Sequence, residues 1–181
     1  MAIPRYQDWL LELAIQLRVQ VPPSLKTLIE VDIDLALVPP DQPGTVRAPD
    51  LVVVTRDAYQ RVDEPGGLLR AADVVLAVEI HSTTTRRTDT KVKYAEDADA
   101  GISHYRVIDL LDGPSLGACH LGGEFGYIDA APVRGTFTTQ QPFPARVDLT
   151  GPGSRRQESV RTSVRSCAHR VWNEPSVSIR L

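Results

Sequence analysis

Cysteine and histidine are scarce in this 181-residue chain, and long apolar runs are missing altogether. The two cysteines, Cys119 and Cys167, form no CxxC pair, and the four histidines, His81, His104, His120 and His169, show no HxxxH-type spacing. A structural zinc site is therefore not expected, and both cysteines read as free thiols of a reducing compartment. Nothing approaches the roughly 18 uninterrupted apolar residues of a membrane span. The N-terminus, Met1 to Asp8, lacks a basic segment followed by an apolar core, so no signal peptide is expected and a cytoplasmic protein is the default. An internal repeat is also lacking. What is present, 42% apolar and 24% charged residues, suits a soluble globular domain long enough to bury a proper core.

Charge is unevenly spread. The segment 151–181 carries six arginines against Glu158 and Glu174, so the rest of the chain holds a net −7 within a total of −3. An acidic body is unlike most tight, sequence-reading DNA binders, but it suits a site that gathers carboxylates around a divalent cation. The expected organisation is a domain over residues 1–150 and an Arg/Ser-rich, poorly ordered C-terminal extension over 151–181.

Periodicity supplies the elements. Trp9, Leu10, Leu13, Ala14 and Leu17 recur at helical spacing, which predicts an opening helix over 5–19 stopped by Pro22-Pro23. Residues 27–38 alternate strictly and predict one strand with a buried face. A second strand is expected at about 50–55 and a third, nearly all apolar and so central, at 73–80. A helix from Thr88 to Ala100 follows, with Gly101 as its C-terminal cap. Strands at 104–110, 115–121 and 124–130 complete a mixed sheet with one parallel crossover.

Glu79 stands out because it closes the apolar run 73–80, where an ionised carboxylate needs a cation, a metal or several hydrogen bonds. Asp50 opens the run Leu51-Val52-Val53-Val54, and Lys93 lies on the helix after Glu79. Metal-dependent phosphodiester cleavage asks little else of a protein: acids to hold the ion, and a cation to position water or neutralise developing charge. Asp50, Glu79 and Lys93 meet those needs, with the Ile80 carbonyl as a further oxygen ligand.

Read in order, these segments resemble a known family. Ala48-Pro49-Asp50-Leu51-Val52-Val53-Val54 is similar to the RPDLVVV element of the Uma-two family of restriction endonuclease-like proteins, in the PD-(D/E)xK nuclease superfamily. Ala77-Val78-Glu79-Ile80-His81-Ser82 resembles its VVEIxSP strand, and 86–93 resembles its RRxDxxxK helix start. Residues 98–105 follow its YADAGIPHYW pattern, and Pro142-Phe143-Pro144 with Val147-Asp148-Leu149 resembles its PFPxxxDL ending. The likeness covers about 25–150.

It implies a three-layer α/β/α core with a mixed central sheet, in which Asp50 and Glu79 bind Mg²⁺, with Mn²⁺ as a substitute. It also implies that the working lysine sits on the helix, at Lys93 rather than Lys91, where a standard ExK spacing would fall on His81. Thr83, Asp97, Ser103 and Arg106 depart from the family's usual proline, tyrosine, proline and tryptophan.

Blander readings stand beside these. Asp50 after Pro49 suits a turn, Glu79 suits an ion pair with Arg86 or Arg87, and Lys93 suits a solvated helix face. His81 reads better as a surface residue than as a base. Glu30, Asp32 and Asp34 read as a solvated stripe, and Ser82 to Thr85 as a helix cap. The tail reads as solvated rather than as a grip on nucleic acid. The expected function is an endonuclease acting on DNA, without membrane association. The alternative is an inactive nuclease-fold module that binds nucleic acid or protein; a further one is a small domain with merely solvated or salt-bridged acids. A homodimer is compatible with cutting both strands.

Overall fold

The computed structural model describes residues 4–39, 41–63, 67–82, 87–123 and 126–152, and of 87–91 only the backbone. One compact unit spans Met1–Gly151; of the second, Pro152–Leu181, only Pro152 is described, so the expectation for the tail lies outside the described residues. Helix α1 (Pro4–Arg18) opens the chain, followed by β1 (Leu25–Ile29), β2 (Ile33–Asp34), β3 (Val46–Arg47), β4 (Leu51–Thr55) and helix α2 (Arg56–Val62). Then come β5 (Leu69–Arg70), a short 3-10 turn at Ala71–Asp73, β6 (Val74–His81), helix α3 (Arg87–Asp99) and β7 (His104–Asp109). Strands β8 (Ser115–Leu121), β9 (Tyr127–Asp129), β10 (Thr136–Thr139) and β11 (Ala145–Asp148) follow.

The main sheet has the order β1-β4-β6-β7-β8-β9, with β6 and β7 parallel across α3 and its other pairs antiparallel. The run of apolar residues without alternation is explained by cover on both faces. Leu51 and Val53 of β4 join Leu76, Val78 and Ile80 under α1 and the β10–β11 hairpin. Val52 and Val54 face the other way with Ala77, Tyr105 and Ala98 of α3, and with Ala58 of α2. The result is a three-layer α/β/α core around a mixed sheet. A register shift at Val53/Val54 puts one extra residue in β6, so Val74 and Leu76 serve opposite faces.

One predicted strand is broken. Residues 27–38 divide into β1 of the main sheet and β2 of a small sheet ordered β3-β2-β5, because Glu30 takes a left-handed conformation with φ 51° and turns the chain. The alternation continues through the break, so the pattern alone concealed it. Helix α2 also escaped the periodicity reading, since its seven residues bury only Ala58; Thr55 caps it by accepting from the Ala58 amide. Gly101 does end α3, at φ 83°.

Two glutamines join α1 to the hairpin. The Gln16 side chain donates to the Asp148 carbonyl (3.2 Å) and accepts from the Asp148 amide (2.8 Å); Gln20 does the same with Arg146 at 2.8 Å each. Four helical residues advance about 6 Å and two strand residues about 6.7 Å, so glutamines one turn apart match alternate residues of a strand. They satisfy an edge that would otherwise offer its backbone to another strand. Gln16→Leu keeps the volume but removes both hydrogen bonds to the Asp148 backbone; urea denaturation should show a loss of about 1–3 kcal/mol with an unchanged slope.

Candidate functional site

The ends of β4 and β6 meet where a proline interrupts the ladder. Leu51 pairs with Val78, so the next backbone rung would join Ile80 to Pro49. Proline has no N–H to donate to the Ile80 carbonyl, and pairing stops there. The Ile80 amide turns instead to the Asp50 side chain, donating to Oδ2 at 2.6 Å. Because the His81 carbonyl accepts from Leu110 on the β7 side, the N–H and C=O of Ile80 both face the β4 side, toward Asp50. Continuing the register sets Asp50 opposite Glu79. Asp50, the Ile80 backbone and the β6 position that carries Glu79 thus share one corner of the sheet.

Asp50 is half-buried and further held by the Tyr6 hydroxyl, which donates to Oδ1 at 2.6 Å and lies 3.4 Å from Glu30. Burial pushes the Asp50 carboxyl above its ordinary range; Tyr6, the Ile80 amide and the positive charge of Lys93 pull the other way. Tyr6 itself is raised by its own burial and by Asp50. Glu79 lies on the α3 side of the sheet, where its charge acts on buried Tyr105.

The sequence candidates separate into groups. Asp50, Lys93 and His81 come within electrostatic reach of one another, and His81 is half-buried rather than a free surface residue. Burial lowers its pKa and Lys93 adds to that, opposed by Asp109 and Asp50. The acidic stripe does not act as one face: Glu30 reaches Tyr6, Asp32 is exposed, and Asp34 accepts from the Ala36 amide in a turn. Arg86, Thr83 to Thr85 and the side chains of Arg87, Asp89 and Lys91 lie outside the described residues. Among the described residues no three His, Cys, Asp or Glu side chains cluster closely enough to form a metal cage. Tyr6 went unnoticed in the sequence because 44 residues separate it from Asp50 and no local pattern marks it.

A profile of the Uma2 family, described as "Putative restriction endonuclease", matches residues 5–147. The chain belongs to this family. The match ends before the arginine-rich segment. A solved structure described as a "putative nuclease belonging to DUF820", from Anabaena variabilis, shares 15% identity at a TM-score of 0.55, covering 78% of this chain and 74% of that one. At that identity the likeness concerns the fold, and it agrees with the restriction endonuclease-like architecture. No curated protein matches. Among the described residues no helix is long and apolar enough to cross a membrane.

Behind the corner, α3 is anchored by Tyr94, whose ring meets Tyr105 and Tyr127 at 5.7 and 4.8 Å between centroids. One turn below Lys93 is Asp97, 2% exposed, its Oδ1 without a partner among the described residues. Burial pushes its pKa up to about 6, against the pull of Arg47 and Lys93. The folded protein therefore holds a proton that the unfolded chain releases between about pH 3.8 and 6, and stability falls as pH rises through that window. Asp97→Asn should remove this slope and raise stability at pH 7 by up to about 3 kcal/mol while leaving pH 3.5 nearly unchanged, as read by urea melts across pH.

Proposed function

We propose that this Uma2-family chain is a metal-dependent endonuclease that hydrolyses DNA phosphodiester bonds. The reading is carried by the corner where the ladder stops: Asp50, fixed by the Ile80 amide, stands opposite Glu79 and under the positive charge of Lys93. Asp50, Glu79 and the Ile80 carbonyl form a set of hard oxygen donors, the kind that suits Mg²⁺ or Mn²⁺ with water completing the shell. A divalent ion held there supplies charge stabilisation for the attacking and departing oxygens of a phosphodiester.

The chain's own residues do the rest. Ile80 and Tyr6 orient Asp50 by hydrogen bonds to separate oxygens, so its free lone pairs keep one direction. Lys93 orients the attacking water and offsets negative charge gathering on the phosphate. Tyr105, buried beneath Glu79, helps to give the site a drier floor on the α3 side.

One observation favours the inactive binding module instead. Both Asp50 oxygens already accept strong hydrogen bonds, and its burial works against a charged state. Plasmid nicking with Mg²⁺ and Mn²⁺ separates the two readings. For the endonuclease, Lys93→Ala lowers the rate at least about 100-fold while Mn²⁺ still binds by calorimetry. Asp50→Ala and Glu79→Ala lose both cleavage and binding. Wild-type cleavage that survives all three substitutions overturns the site, and an absence of both metal binding and cleavage of any nucleic acid favours the module.

A further inference from the structure

A cavity of about 320 Å³ opens on the opposite face of the sheet from Glu79, toward the N-terminal end of β7. His104, Arg106, His120, Thr139 and Gln141 line it together with small side chains and Cys119. Alternation and register create the set. His104 and Arg106 share a face of β7, and His120 pairs with His104 across the β7–β8 ladder.

Arg106 is the anomaly. It is 3% exposed, yet among the described residues it forms no ion pair. Nη2 donates to the Gln141 carbonyl at 2.8 Å, the guanidinium lies 5.1 Å from the centre of the Phe137 ring, and Nη1 has no partner among the described residues. Burial pulls its pKa down to about 10, so the charge persists at neutral pH. A ring face and one carbonyl offset only part of the cost of burying a cation. The neighbours deepen the imbalance. Burial lowers the His104 pKa, and Arg106 and His120 lower it further, with no carboxylate among the described residues acting on it. Asp129 on the adjacent β9 accepts from the Tyr94 hydroxyl. The Thr139 hydroxyl is committed to Gln141, donating to its carbonyl at 2.8 Å and accepting from its amide at 3.0 Å, which braces the segment that holds Arg106.

We propose that this cavity is a binding site for a phosphate monoester or inorganic phosphate, with Arg106 supplying the charge and His104 and His120 further hydrogen bonds. A buried fork of donors with no negative partner among the described residues matches a compact, multiply charged oxyanion. A phosphodiester in mid-strand cannot bring its flanking sugars to a guanidinium so deeply enclosed, whereas a free phosphate or the terminal phosphate of a strand can enter end-on.

The test is calorimetric titration of the full chain with inorganic phosphate at fixed ionic strength and with EDTA present, so that its result is independent of metal at Asp50 and Glu79. Saturable one-to-one binding with Kd of roughly 1 mM or tighter is expected. Arg106→Gln should abolish it, and His120→Gln, at an exposed position, should weaken it roughly fivefold. If Arg106→Gln fails to fold by circular dichroism, the His104→Gln/His120→Gln pair decides. Displacement of phosphate by a short oligonucleotide only when it carries a 5′-phosphate assigns the ligand to a strand terminus; displacement by neither form assigns it to a small free phosphate. Equal displacement by both forms, equal competition by acetate, or no saturable binding overturns the proposal.

Discussion

The hydrogen bond from the Ile80 amide to the Asp50 carboxylate is the constraint on which the candidate site depends. It closes a ladder whose next rung would need an N–H that Pro49 lacks, and so it brings a charged group to the end of a run otherwise sealed in apolar side chains. A carboxylate held by a main-chain donor on a central strand moves with the sheet, which is the most rigid part of the fold. Tyr6 adds a hold from α1, so the geometry of Asp50 reports on the docking of the first helix as well as on the strands. That docking rests in turn on Gln16 and Gln20 at the hairpin edge.

Both faces of the sheet hold charged side chains, and the same physical constraint acts on each. A strand buried on both sides leaves no solvent for a charged residue, so each charge in the layers must find a partner or retain an unmet one. Among the described residues, Asp97 and Arg106 each keep a buried polar atom without a partner, and both sit on elements flanking β6 rather than on it. Asp97 responds by binding a proton more tightly. Arg106 keeps its proton at neutral pH, and in the proposed site it is the ligand that brings the negative charge.

Much of the core was legible from sequence. The helical spacing of Trp9, Leu10, Leu13 and Leu17, the uniform apolar runs of β4 and β6, and Gly101 after α3 each state a local physical preference that the packing obeys. The division of 27–38 was not legible, since a single residue in a left-handed conformation turns a chain without disturbing its period. Helix α2 buries too little for periodicity to register. Of the corner, Asp50, Glu79 and Lys93 could be named from the sequence. Tyr6 could not, nor could the setting of His81 among Asp50, Asp109 and Lys93.

The sequence by itself determined the apolar strands, the acids at their ends, and membership of a restriction endonuclease-like family, because these follow from residue order and local spacing. Only the tertiary structure decided that Tyr6 and Ile80 hold Asp50, that Asp97 is driven toward neutrality, and that Arg106 is buried without an ion pair among the described residues. Hydrogen-bond partners and desolvation are set by which segments meet across the sheet, and segments 30 to 132 residues apart leave no mark of that meeting in the local pattern.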